Sequence, residues 1–302
     1  MQVFSGADRH PYRFNEVDNH LFFNPIEIAI SYDGINWKST YNEHGISEVN
    51  CYDVDVGASV EATTLRKFAG SNGQVVDSSS YDPRTITAHV YAPTFDYIDA
   101  DLIFKELDRF FSSNDGYWIA FSNSPGKKYW VMPMTITRTT NSDGGITVDI
   151  PFNNITGVAQ SISSAPEMFG EKPQNVAYDS GVRMDMEKPQ YTFTKSEFDV
   201  FNAGSIAIDP LRNLYPLTIT AHFSGKLTIA NQTNGSSFSY NGNAKNTDTF
   251  TIRQISPYLN GALCGKDTDN GIIQISPGIN HFKVSGGKLK DISFDFAFIY
   301  PS

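Results

Sequence analysis

The chain has 302 residues, 33 acidic against 23 basic ones, and a formal charge of −10. That sign argues against a protein that grips nucleic acid through phosphates, and 40 % hydrophobic with 13 % aromatic content excludes a disordered chain. No run of about 18 apolar residues exists to span a bilayer as a helix, and no secretory signal is visible, so synthesis in a cytoplasm is expected.

Charge is unevenly placed. Residues 1–165 hold 20 acids and 11 bases, a net of −9, and residues 166–302 hold 13 and 12, a net of −1. Cys51 and Cys264 lie too far apart to define a disulfide framework or a zinc cluster, and are read as buried thiols.

Apolar–polar alternation dominates from the start. Ile26, Ile28 and Ile30 alternate with Glu27, Ala29 and Ser31, and Ile86, Ala88 and Val90 with Thr85, Thr87 and His89. Such spacing sends alternate side chains to opposite sheet faces, one buried and one solvated. A helix over about 99–113 follows, capped by Asp96 or Asp99. Its apolar face is Ile103, Leu107, Phe110 and Phe111, and Asn114-Asp115-Gly116 ends it. Tyr129–Thr137 and Ile146–Ile150 flank Ser142-Asp143-Gly144-Gly145, so 129–152 reads as one long hairpin.

Residues 166–190 lose this periodicity and read as a connector. Beyond it, Leu217, Ile219, Ala221 and Phe223 alternate, Asn241-Gly242 marks a hairpin turn, and short strands cover 249–255 and 271–275. Ile292, Phe294, Phe296, Phe298 and Tyr300 form the last strand. The fold class is therefore mainly β with one helix: a β domain over 1–165 carrying that helix, the connector, and a β-sandwich over 191–302.

Catalytic motifs are missing: no zinc-protease helix, nucleophile elbow, phosphate loop or dinucleotide fingerprint. No cofactor or metal is called for. Asp53 and Asp55, two residues apart, share a strand face and are read as solvated rather than as a glycosidase pair. Asp267, Asp269 and Gly271 lack the remaining ligands of a calcium loop and read as a tight turn. The sequons at Asn154, Asn231 and Asn234 are read as chance matches. Trp118 and Trp130 flank the Ser124-Pro125-Gly126 turn and would be cross-strand neighbours, and Trp37 is the other tryptophan weighed for a sugar platform.

Several segments in order resemble the distal tail (Dit) proteins of long, non-contractile-tailed phages. They are Phe68-Ala69-Gly70-Ser71-Asn72-Gly73, then Tyr81-Asp82-Pro83-Arg84-Thr85-Ile86, the helix, Tyr117-Trp118-Ile119 and Pro125-Gly126-Lys127-Lys128-Tyr129-Trp130-Val131. Phe201-Asn202-Ala203-Gly204, Tyr215-Pro216-Leu217, Asn231-Gln232-Thr233-Asn234-Gly235 and Pro277-Gly278-Ile279-Asn280 continue the match, which spans about 68–300 and leaves out the first 25 residues.

The resemblance implies a structural virion protein and not an enzyme. A tail-tube-like N-terminal domain would build a homo-hexameric ring with a central channel for DNA, and a galectin-like sandwich would project outwards. Implied partners are the major tail tube protein, the tail-associated lysin or spike, and a receptor-binding protein. Tyr129, Trp130, Asp143, Gly144, Ile103, Leu107 and Phe110 are the assembly candidates. Asp53, Asp55, Glu61 and Asp77 are the candidate lumen acids, placed to repel phosphate. The competing readings are a binder of cell-wall saccharide and, behind it, a cell-wall hydrolase.

Overall fold

A computed structural model describes residues 2–4, 25–169, 188–211 and 215–301. Most of the expected connector lies outside the described residues. Two compact units emerge, Met1–Ala159 with Pro301–Ser302, and Gln160–Tyr300.

The first unit contains β1 (Ile28–Ser31), β2 (Lys38–Ser39), β3 (Asn50–Asp55), β4 (Val60–Arg66), β5 (Val75–Asp82), β6 (Arg84–Ala92), α1 (Tyr97–Phe111), β7 (Tyr117–Phe121), β8 (Lys127–Pro133), β9 (Thr137–Thr140) and β10 (Ile146–Asn154). Its main sheet is antiparallel in the order β2-β1-β7-β8-β10-β6-β3, with β9 also on β10. The register Val148↔Val90, Ile150↔Ala88, Phe152↔Ile86 puts one apolar row beside another. All six side chains are buried. Each β6 residue facing the other way is at least partly exposed, as its alternation predicts. On β1 both faces are buried, as is Glu27 just before it, which corrects the half-solvated strand expected there. The Glu27 carboxylate accepts a hydrogen bond from the Ser39 hydroxyl of β2, so the polar group is compensated inside.

Helix α1 begins two residues before the expected start. The Asp96 carboxylate accepts from the backbone N–H groups of Ile98 and Asp99, both at 2.9 Å. Leu107 and Phe111 are its most buried large side chains. The Phe111 ring meets Phe152 edge-on at 5.6 Å, and the Tyr117 hydroxyl donates to the Phe111 carbonyl at 2.8 Å, so the helix end is tied to the sheet.

The expected 129–152 hairpin is split. β8 ends at Pro133, which has no N–H to continue a ladder, and pairs with β10 only at its far end (Phe152↔Pro133). β9 then takes the same edge of β10 at Ile146–Asp149. Because β10 also pairs with β6 along its whole length, this hairpin is built into the sheet and is no free arm. The free arm is β4–β5, a separate two-stranded sheet whose residues are nearly all exposed.

The second unit contains β11 (Ala159–Ser161, starting one residue before the unit), α2 (Ala165–Met168), β12 (Thr192–Phe193), β13 (Glu197–Asn202), β14 (Leu217–Asn231), β15 (Ser237–Ala244), β16 (Phe250–Arg253), β17 (Ser256–Leu259), β18 (Ala262–Leu263), β19 (Gly278–Phe296) and β20 (Ile299–Tyr300). Two long strands, β14 and β19, pair antiparallel from Leu217↔Phe296 to Asn231↔Phe282. They bend midway, where the register shifts between Ser224 and Leu227. Gly225 and Gly286 have φ of 87° and 105° there, and a Cβ on Gly287 would strike the Ser224 carbonyl. One half of the pair carries β12, β16, β17 and β18, and the other carries β13 and β15. Aromatic contacts join the halves: Phe282 to Phe294 at 4.9 Å, Phe198 to Phe294 at 5.8 Å and Phe238 to Phe250 at 5.9 Å. The terminal alternation from Ile292 to Tyr300 is buried throughout.

Two turn expectations fail here. Asn241-Gly242 lies inside β15, and the hairpin turns instead at 232–236, with Gly235 at φ 77°. Gly242 is needed for space, since a Cβ there would collide with the Tyr240 ring. Residues 271–275 form only an isolated bridge, Ile208↔Ile275, rather than a strand.

Candidate assembly surfaces

The sequence candidates for assembly separate by burial. Tyr129 (2 % exposed) and Leu107 (1 %) are core residues, so direct contact with another chain does not fit them. Trp130, Ile103 and Phe110 are half-buried. Asp143 and Gly144 are exposed but pinned to their own unit: Asp143 accepts from the Tyr91 hydroxyl at 3.1 Å and the Gly145 N–H at 3.0 Å, and the Thr94 hydroxyl donates to the Gly144 carbonyl.

Exposed apolar side chains gather at two other places in the first unit. The β4–β5 arm carries Val60, Leu65, Phe68, Val75 and Val76. Leu65 and Val76 are cross-strand partners beside a bulge, so they share a face. On α1, Ile98 and Leu102 stand four residues apart on one exposed stripe, and Phe95 is exposed just before the Asp96 cap. Beside that stripe lies a groove of about 400 Å³ between residues 44–49 and the start of α1, lined in part by Val49, Pro93, Phe95 and Ile103. Isolated exposed apolar residues are ordinary, whereas clusters mark contact surfaces. Sequence reasoning missed both clusters, because alternation tells which residues share a face but not which face another element covers.

The four candidate lumen acids also divide. Asp53 and Asp55 pair with His89 and Thr87 of β6, and His89 is in register with Asp149 of β10. Asp53, His89 and Asp149 thus form a row on the solvated face of the main sheet, with His89 Nδ1 2.6 Å from Asp149 Oδ1. Asp149 is an acid of this face that the sequence reading passed over; its place opposite His89 depends on register. Glu61 and Asp77 sit on the arm, where Asp77 Oδ2 accepts from the Arg66 guanidinium at 3.1 Å.

Among the described residues, no three His, Cys, Asp or Glu side chains stand together as a metal ion would need. The Cys51 thiol is pushed up to about 12 by burial, and burial raises Cys264 as well, so both are poor nucleophiles. Trp118 and Trp130 are neighbours as expected, but they meet edge-on at 5.2 Å, with Lys128 over the Trp118 ring. That packing leaves no flat double platform for a sugar. Asn154 and Asn231 are fully buried, closed to glycosylation in the folded unit. In the residue 265–271 turn, Asp269 Oδ1 accepts from the Ser239 and Gly271 N–H groups, each at 2.9 Å.

No curated protein matches this sequence. A family model described as phage tail protein RIFT-related domain matches residues 40–157. The chain is similar in structure to the Dit protein of phage SPP1, described as a paradigm of hub adsorption apparatus in phages infecting Gram-positive bacteria. The TM-score is 0.61 at 13 % identity, over 90 % of this chain and 98 % of that one. A chain of the phage P2 baseplate in its activated, calcium-bound conformation aligns at TM-score 0.42 and 9 % identity, over 91 % and 97 %. Residues 40–157 thus match the model of a phage tail protein RIFT-related domain, and the chain shares the fold of the SPP1 Dit protein.

Proposed function

We propose that the protein is a structural component of a phage tail tip, a distal tail hub whose first unit closes into a homo-hexameric ring around a channel for DNA. The observation that carries this reading is the fold likeness to the SPP1 Dit protein over nearly the full length of both chains, coinciding with a phage tail domain in the first unit. The ring would join the major tail tube protein on one side to the tail-associated lysin or spike on the other. The second unit, read as a galectin-like sandwich, would project outwards towards baseplate or receptor-binding proteins. The site of action is then the virion tail tip, after synthesis in the host cytoplasm.

A ring subunit needs two unlike surfaces that meet head to tail, and no catalytic cleft. The two exposed apolar clusters fit that need. The face bearing Asp53, Asp55 and Asp149 is the part proposed to line the channel, because carboxylates there would keep phosphates from adhering as DNA passes. Glu61 and Asp77 belong to the arm and are assigned to contact rather than to the lumen.

Saccharide binding is the second reading, favoured only by the sandwich form of the second unit, which holds no tryptophan. A glycan array on the full chain decides between them. No saturable binding is expected, and clear saturable binding would revive the saccharide reading. Electron microscopy of the purified chain tests the ring itself; sixfold particles with a central hole are expected, and particles without one would overturn it.

A further inference from the structure

We propose that the tip of the β4–β5 arm of one copy docks on the exposed stripe of α1 in the next copy, and that this contact closes the ring. The inference deepens the ring reading and rests on it.

The argument begins with two surfaces on one unit that each lack a cover. The arm tip, residues 65–76, exposes Leu65, Phe68, Val75 and Val76, each at least half exposed. It holds Arg66 and Lys67 and no acid. This is a basic segment in a half of the chain whose net charge is −9. The opposite surface, residues 93–104, exposes Phe95, Ile98 and Leu102. It holds Asp96, Asp99 and Asp101; Asp101 is already paired with Lys105 and Arg138, which leaves Asp96 and Asp99 to present the negative charge.

Apolar area therefore meets apolar area, and Lys67 meets the carboxylates of Asp96 and Asp99. Each surface would repel its own kind, which disfavours a symmetric tip-to-tip or helix-to-helix dimer. Unlike surfaces on one chain generate a head-to-tail series, which closes as a ring when the rotation permits. The arm suits this role because it pairs only with itself and so can leave its own unit without breaking the main sheet. Arg66 is shared with Asp77, which leaves Lys67 as the cation directed by this scheme to the helix acids. The groove beside Phe95 offers space for the Phe68 ring.

The test is cross-linking of full-length protein carrying both Phe68→Cys and Leu102→Cys with a short bismaleimide. The native thiols of Cys51 and Cys264 are buried and stay silent. The expected result is a covalent ladder reaching six copies in the double variant and nothing above a dimer in either single variant. Both sites are exposed, so unchanged melting temperatures should accompany the ladder. Hexamers by native mass that give no ladder overturn the contact while leaving the ring in place; the two surfaces would then face other tail proteins. Wild-type protein that stays monomeric at high concentration, with no ladder, overturns both readings.

Discussion

A single carboxylate organises the turn after β1. Asp33 accepts from the Asn36 and Ile35 N–H groups at 2.7 and 2.8 Å and from the Asn36 side chain at 2.7 Å. These bonds, that of the Asn36 backbone foremost, hold its carboxyl well below the ordinary range. A depressed carboxylate contributes stability that is present above its unfolded value, near 4, and is lost as pH falls towards the folded value. Asp33→Asn should therefore flatten the acid limb of the stability–pH curve below about pH 4, read by thermal melts across pH; an unchanged limb would remove Asp33 from this role. At the start of α1, Asp96→Ala removes the acceptor of two N–H groups and should cost about 1 kcal/mol in denaturant titration, with Asp96→Ser restoring most of it. This cap was legible in the sequence. The cap of α2 was missed, for the sequence reading expected a connector there: Glu167 accepts from the Ser164 N–H at 3.2 Å in a Ser-x-x-Glu motif.

At the scale of elements, alternation reported burial well wherever a strand has one covered face. Ile86, Ala88 and Val90 on β6 and Ile292, Phe294 and Phe296 on β19 are examples, whereas the expected last strand breaks after Phe296 and is buried on both faces at Ile299–Tyr300. It misread Glu27, because β1 is covered on both sides and a compensated carboxylate looks solvated in a sequence. Turn chemistry was less readable. Asn241-Gly242 and Asn234-Gly235 look alike locally, and only the Tyr240 ring decides that the first glycine serves packing and the second the turn. The free arm escaped notice for a similar reason: β4 and β5 lack alternation because neither face is buried in one copy. Gly287→Ala tests the bend of β14 and β19. A Cβ would meet the Ser224 carbonyl, so the variant should melt lower, by 1–3 kcal/mol as overpacking usually costs; a wild-type melt would mean that the strands bend by other means.

For the whole molecule, the charge asymmetry seen in composition acquires a place. Asp53 and Asp55 of β3 and Asp149 of β10 share the solvated face of one sheet. If that face lines the channel, wild-type rings should leave duplex DNA unbound. A variant with lysine at all three positions should bind it with a steep salt dependence, measured by fluorescence anisotropy. Absence of binding by the lysine variant would place the face elsewhere. Surfaces proposed to join copies left no mark in the composition, since they consist of what the single chain leaves uncovered. The measurement that bears most directly on the hub is the native mass of the purified chain over a range of concentrations. The account predicts a species of about six times 33.5 kDa, and a chain that remains monomeric or stops at a dimer would contradict it.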